Sequence, residues 1–271
     1  MVRTYGMDNK TSGSFNINGD TMKIYVLTLE NETERQKNVI KEFQKIDVPF
    51  NFLKGMDARK LSSDKLKKLC VNEAMLAGEI GCAESHLQIM RDFLKTEENS
   101  VFIFEDDVQF SKKVNKNVLK EFKKFIDSKN TPSVIILRKR KRLGKEVYRI
   151  GNIPVYECYR ATGAISYLIN RKCAEFLVKN NTPIRFQSDA WSIYAPSKLI
   201  NLYALNEDLC SEWNGPNGIY KSTVGISAKR ACHSSKHKKL KNQFLKEHGY
   251  TKFNWISDSI KSYYYSLKRK L

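Results

Sequence analysis

Glu105-Asp106-Asp107 is the run with the sharpest chemistry in this chain, because three acids follow directly on the apolar segment Val101-Phe102-Ile103-Phe104. Crowded carboxylates repel one another unless a cation or solvent intervenes, and in open α/β sheets ligands bind at the carboxyl ends of strands. A divalent ion would relieve the repulsion. Mg²⁺ or Mn²⁺ takes one or two carboxylates together with substrate phosphate oxygens, so the run predicts a metal-carried nucleotide-phosphate site; an acidic loop capping a helix is the plainer alternative. Competing phosphate chemistries lack their parts. The sequence has no G-x-x-x-x-G-K-[ST] and no G-x-G-x-x-G after a strand, which removes the P-loop and dinucleotide cradles. A phosphatase that forms an aspartyl-phosphate wants an acid two residues beyond its nucleophile, and two beyond Asp106 stands Val108.

The elements that must position these acids follow from periodicity. Ile24 to Leu29 is short, nearly continuous in apolar character and β-branched or aromatic, which predicts a strand buried on both faces and hence a parallel sheet. After polar capping candidates at 31–35, Val39, Ile40, Phe43 and Ile46 fall on one helical stripe. Phe50 to Leu53 reads as the next strand, and a second helix carries Ala83, His86, Leu87, Met90, Phe93 and Leu94 on one face, where the pattern alone makes His86 a core histidine. A further helix turns Leu119, Phe122, Phe125 and Ile126 inward, and Ser133 to Leu137 is a fourth central strand. Alternating β and α predicts a wound, mostly parallel α/β sheet. Later, Arg138 to Arg142 is a basic run, Val155–Tyr159 and Ala164–Ile169 read as strands, and Cys173, Phe176 and Leu177 as a helix face. With no Pro/Gly/Ser linker between the halves, the second is expected as an acceptor-side insertion on the same domain.

Lys and Arg number 48 against 29 Asp and Glu, a formal charge of +19, which asks for an anionic partner: nucleic acid, a lipid surface or a phosphate-bearing substrate. The Arg138–Arg142 run has no interleaved aromatics, so a nucleic-acid partner is not expected. The six cysteines are scattered without a C-x-x-C, which predicts a reducing cytosol and no zinc site, with Cys82 a small packing residue. Residues 1–21 are polar and aperiodic, expected as a flexible extension or cloning remnant. No signal peptide is read there, and no run nears the roughly 18 apolar residues of a membrane span. Residues 229–271 hold twelve Lys or Arg against Glu247 and Asp258, with Trp255, Ile256, Ile260, Tyr263, Tyr264 and Leu267 at helical spacing. This predicts a basic amphipathic helix on an anionic membrane surface, the alternative being a terminal helix packed on the domain.

Tyr25-Val26-Leu27-Thr28-Leu29 with Arg35, then Gly78-Glu79-Ile80-Gly81-Cys82-Ala83-Glu84-Ser85-His86-Leu87, then Phe104-Glu105-Asp106-Asp107-Val108, resembles glycosyltransferase family 25, the bacterial lipooligosaccharide galactosyltransferases and their collagen galactosyltransferase relatives. Thr162 to Ile169, on through Ala174 and Pro183 to Asp189, resembles the family's second half. The resemblance implies a GT-A type nucleotide-sugar fold over residues 22–228. It implies metal-dependent, inverting transfer of galactose or glucose from a UDP-sugar to a lipid-linked lipooligosaccharide or lipopolysaccharide glycan, at the cytoplasmic face of the inner membrane. On the donor it places Thr28, Leu29, Arg35, Gly81, Ser85, His86, Glu105 and Asp106, with Gly78 and Gly81 admitting close backbone approach. Asp107 is the metal ligand it favours, joined by Glu105, which stands where the D-x-D-like motif has its first acid, and by His233, around Mn²⁺ or Mg²⁺. Inverting transfer needs a base for the acceptor hydroxyl; Asp189 is the candidate and Glu212 the second choice. Trp191 would offer a flat surface to sugar C–H faces, and a helix N-cap at Ser188 or Asp189 is the other reading of that segment. A metal-dependent phosphohydrolase would share the acids but leave Asp189 and the G-C-A-x-S-H segment unused.

Overall fold

The apolar run after Met22 forms strand β1 (Lys23–Thr28), and helix α1 (Thr33–Ile46) returns along the sheet with Val39, Phe43 and Ile46 inward. Strand β2 (Asn51–Lys54) pairs parallel to β1 at the sheet edge. A 3₁₀ turn at Ala58–Lys60, helix α2 (Ser63–Leu69) and the long helix α3 (Ala77–Leu94) lead to β3 (Ser100–Glu105), which lies parallel to β1 on its other side. Strand β4 (Val108–Phe110), helix α4 (Lys116–Asp127) and strands β5 (Ser133–Lys139), β6 (Arg142–Ile150), β7 (Ile153–Arg160) and β8 (Ser166–Asn170) follow. Then come α5 (Arg171–Asn180), the short α6 (Trp191–Tyr194), β9 (Asn201–Leu205), β10 (Cys210–Glu212), α7 (Ser235–Glu247) and α8 (Lys252–Lys268). This computed structural model describes residues 22–196, 198–215, 224, 231 and 234–269.

Eight strands make one sheet in the order β2-β1-β3-β8-β5-β9-β7-β6, and β10 pairs with β4 in a separate ribbon. The expected wound α/β sheet is present, with β2, β1, β3, β5, β9 and β6 running one way. Strands β8 and β7 run against them, β8 filling the gap between β3 and β5. The sheet is buried on both faces, which explains the continuous apolar runs. Along β3, Val101 and Ile103 point into one core with α3 and α5, while Phe102 and Phe104 point into the other with α1 and α4.

Four strands escaped the sequence pattern: the short ribbon pair β4 and β10, the central strand β9, and β6. The basic run at 138–142 ends β5 and opens β6, whose pairing with β7 shifts register three times, so period-two alternation is lost along it. The two halves of the chain share this single sheet.

The basic C-terminal stretch behaves as two different helices. Phe244 of α7 packs edge-on against Phe186 and Tyr194, at ring distances of 5.4 and 5.7 Å, inside the core on the α3 face. In contrast, α8 lies along β6 through polar contacts: Arg269 donates to Gly144 O at 2.9 Å, and Ser262 is buried. Its apolar stripe points outward. Phe253, Ile260 and Tyr263 are 78%, 63% and 66% exposed, so packing of that stripe on the domain is not what the fold does. No helix among the described residues is long and apolar enough to cross a membrane.

The two helices should therefore respond oppositely to truncation of an apolar side chain. Phe244→Ala is expected to lower unfolding free energy by about 3–5 kcal/mol, the usual cost of emptying a buried aromatic site. Ile260→Ser should change it by no more than about 0.5 kcal/mol. Urea unfolding followed by tryptophan fluorescence measures both, and equal losses would show that the stripe is packed after all.

Candidate functional site

Strands β1 and β3 lie side by side in parallel, with Leu27 opposite Glu105, so the end of one delivers Thr28 beside the acids at the end of the other. Thr28 Oγ1 donates to Asp106 Oδ2 at 2.7 Å. From the first turn of α1, Arg35 Nη1 donates to Asp106 Oδ1 at 2.9 Å. Both oxygens of the middle acid are thus taken, and pair and carboxylate are buried together. Burial pushes the Asp106 carboxyl up, against the hydrogen bonds from Thr28 and Arg35 that pull it down. Gln36 closes the corner by donating to Leu29 O at 3.0 Å.

The outer acids are placed differently. Glu105 is partly exposed in the cleft wall. Asp107 sits 3.8 Å from Arg35 Nη1, and its Oδ1 is buried with no hydrogen-bond partner. Burial first, and then the neighbouring Glu105 carboxylate, raise the Asp107 carboxyl to about 7. An orphaned buried oxygen beside a second carboxylate is a donor set that fits a hard divalent cation. Each oxygen of Asp106 already accepts one hydrogen bond, from Thr28 or from Arg35, so Asp106 is the least available of the three acids for such an ion.

Helix α3 supplies the opposite wall. A Cβ on Gly81 would come within 2.4 Å of Met56 O, so Gly81 lets the 55–58 loop lie directly on the helix. Ser85 secures that loop by accepting from Met56 N at 2.8 Å while donating to Gly81 O at 2.6 Å. His86 is buried beneath: its Nδ1 meets the Tyr167 hydroxyl at 2.7 Å and its Nε2 meets Glu105 Oε1 at 3.2 Å. A carboxylate can only accept, so Nε2 carries the proton and Nδ1 accepts from Tyr167. His86 is accordingly both a core histidine and a support for the acid above it.

These parts enclose a cleft of about 570 Å³, counted out to its open mouth. Thr28, Leu29, Arg35, Ser85, Glu105 and Asp106 line it, whereas Gly81 and His86 shape it from behind and Asp107 stands beside it. Sequence reasoning missed Asp57 and Arg59, paired with each other at 2.6 Å on the cleft wall, and also Cys82, read there as packing. Their signal was the G-M-D-A-R stretch directly after an expected parallel strand. It also missed Glu79, which holds the N-terminus of α3 by accepting from Leu76 N, Gln187 Nε2 and Ala231 N at 2.9, 3.1 and 3.0 Å.

Asp189 lies in the turn before α6 and is not among the residues that line the cleft; neighbouring Ser188 Oγ is 3.3 Å from Sγ of Cys82, which does line it. Its Oδ2 accepts from Gly163 N at 2.7 Å, and the N-cap position of α6 is Ala190. Trp191 is a correction: it is fully buried, donates Nε1–H to Gly163 O at 3.0 Å and packs edge-on against Tyr167. It presents no face to a sugar because the apolar ring is worth more in the core than at the surface. Glu212 of β10 is exposed and accepts from Arg138 at 2.7 Å, one residue from Trp213, whose N donates to Asp107 O at 2.6 Å. His233 lies outside the described residues.

A family model described as "Glycosyltransferase family 25 (LPS biosynthesis protein)" matches residues 21–192. A glycosyltransferase 25 family member of Aedes aegypti is 31% identical over 98 residues, 32% of this chain and 16% of that protein. The lipooligosaccharide biosynthesis protein lic2B of Haemophilus influenzae is 26% identical over 95 residues, 34% of this chain and 36% of its own length. The chain thus matches well under two thirds of either relative. Among solved structures, a UDP-glucose pyrophosphorylase complexed with UDP-glucose aligns over 84% of this chain and 99% of its own at 10% identity and a TM-score of 0.38, a likeness too slight to carry an argument. The family match begins at the first strand, takes in α3 and the acidic turn and ends at the Asp189 loop, and on that extent the chain belongs to glycosyltransferase family 25.

Proposed function

We propose that this chain is a metal-dependent, inverting hexosyltransferase that moves galactose or glucose from a UDP-sugar to a lipooligosaccharide or lipopolysaccharide glycan. The observation that carries the reading is the division of labour among the three acids: Asp106 is locked by Thr28 and Arg35, which leaves Glu105 and Asp107 to face a cation with one buried oxygen unpartnered. Glu105 and Asp107 would hold Mn²⁺ or Mg²⁺. When bound, such an ion neutralises charge on a departing nucleoside diphosphate. Thr28, Leu29 and Arg35 border the donor cleft, and Ser85, through the 55–58 loop, shapes the opposite wall. The family description and the name of the lic2B relative support the choice of glycan acceptor.

Asp189 is the proposed base. One oxygen is held by Gly163 N–H, which fixes the carboxylate one residue from Ser188, itself in contact with the cleft residue Cys82. Glu212, beside the acidic turn, remains its competitor. We also place the enzyme at the cytoplasmic face of the inner membrane. The outward stripe of α8, with exposed Lys261 and Lys268, suits an anionic lipid surface.

Asp107→Asn keeps the side chain's shape and removes the charge. Calorimetry with UDP should show Mn²⁺-dependent affinity in the native chain and none in the variant, while unaltered Mn²⁺-dependent affinity would sink the metal assignment.

In Asp189→Asn the amide oxygen can still accept from Gly163 N–H, so the turn survives. UDP release from UDP-galactose or UDP-glucose in the presence of acceptor glycan should drop by roughly 10²-fold or more, with donor affinity little changed. A native rate would transfer the role to Glu212.

Vesicles containing phosphatidylglycerol should sediment the native chain and release it as salt rises, since each basic residue near an anionic surface contributes about 1 kcal/mol. The double variant Ile260→Glu, Tyr263→Glu should stay in the supernatant with its thermal stability intact. Undiminished sedimentation of that variant would remove α8 from the membrane reading.

A further inference from the structure

The scattered cysteines gave no reason to expect a soft-metal site, yet the fold assembles one set of mixed ligands. Cys82 and His86 stand four residues apart on α3, so their side chains share a helix face. Glu105, at the end of β3, reaches the same point from the sheet. Cys82 Sγ, a His86 ring nitrogen and a Glu105 carboxylate oxygen all lie within 4.8 Å of one another. His86 Nε2 and Glu105 Oε1 are already only 3.2 Å apart.

We propose that Cys82, His86 and Glu105 form a Zn²⁺ site opening into the cleft, and that its occupation shuts off the Mn²⁺-dependent reaction. The ligand types are those of mixed thiolate, imidazole and carboxylate sites, in which a tetrahedral Zn²⁺ with bonds of about 2.0–2.3 Å sets its ligands about 3.3–3.8 Å apart. Small side-chain rotations bring the present arrangement to that spacing. Three protein ligands leave a fourth position, and because Cys82 and Glu105 both line the cleft that position faces it. The imidazole is already braced from its far side, since Tyr167 bonds Nδ1 at 2.7 Å, as the outer nitrogen of a metal-bound histidine is normally held. Binding moves the imidazole proton from Nε2 to Nδ1, where the Tyr167 oxygen accepts it, and releases the thiol proton to solvent.

Competition follows from Glu105. The same carboxylate is proposed for the hard cation beside Asp107, and a thiolate site prefers Zn²⁺ to Mn²⁺. Zn²⁺ would thus withdraw Glu105 from the catalytic ion. The Zn²⁺ site stands on side-chain geometry alone, while the inhibition rests on the transferase reading.

Metal-free full-length protein titrated with Co²⁺ should develop the near-ultraviolet thiolate-to-cobalt absorption, and one equivalent of Zn²⁺ should abolish it. Cys82→Ser should lose the band and weaken Zn²⁺ binding, measured by calorimetry, at least tenfold. Cys70, Cys158, Cys173 and Cys210 are buried, and a full band persisting in Cys82→Ser would assign it to another thiol and overturn the site. Absence of any band in the native chain would overturn it equally. Glu105→Gln, expected to weaken Zn²⁺ at least tenfold with the thiol in place, keeps the test decisive if Cys82→Ser misfolds. These readouts need no turnover, so they stand even if the chain releases no UDP. Where UDP release is measured, Zn²⁺ should inhibit the native enzyme, and equal inhibition of Cys82→Ser, relative to its own Zn²⁺-free rate, would refute the competition.

Discussion

A buried carboxylate must be matched, and Asp106 is matched twice, by Thr28 from one strand and by Arg35 from the following helix. Breaking such a buried pair by removing one partner typically costs about 3–5 kcal/mol, because the remaining charge is left without water or counter-ion. The interaction therefore ties the ends of β1 and β3 to the start of α1 and sets where the acidic turn can go. It also decides what the flanking acids are for. With Asp106 engaged on both oxygens, the Asp107 carboxyl is driven up by burial and by the neighbouring Glu105 carboxylate.

Helix α3 shows how one element serves core and cleft together. Ile80, Leu87 and Phe93 fill the core, while Gly81 and Ser85 hold the 55–58 loop at a distance that any side chain at Gly81 would prevent. His86 joins the two roles through its two nitrogens, one braced by the buried Tyr167 and the other presented to Glu105. A residue can look like packing on a helical wheel and still carry the geometry of a site, since burial on one side does not exclude a polar contact on the other.

The C-terminal helices divide along the same physical line. On α7, Phe244 finds aromatic partners and joins the core. On α8, the contacts with the sheet edge are polar: Arg269 reaches backbone carbonyls of β6, and Arg160 lies over Trp255 at 5.1 Å. That arrangement leaves Phe253, Ile260 and Tyr263 of the apolar stripe mostly in water.

Much of this was legible in the chain itself. Apolar runs at 24–29 and 101–104, and the helical stripes at 39–46 and 83–94, are local patterns that a two-sided sheet imposes directly, so strands, helices and the position of the acids at a strand end could be read without coordinates. The G-C-A-x-S-H and E-D-D stretches announced the family for the same reason. Distance in sequence hid the rest. Which acid is locked depends on Thr28 and Arg35, 78 and 71 residues away from Asp106, and no periodicity records such a pairing. Trp191 reads as a surface platform until Gly163 and Tyr167 are seen to enclose it. Strand β6 is invisible because its register shifts erase alternation. Cys82, unremarkable beside Ala83, acquires its neighbours only when β3 is laid against α3 and Glu105 arrives from the sheet. Local chemistry determined the elements and the acidic motif; which side chains meet was decided by the packing of the sheet against α1 and α3, because long-range contacts are fixed by the burial of whole faces rather than by any short stretch of chain.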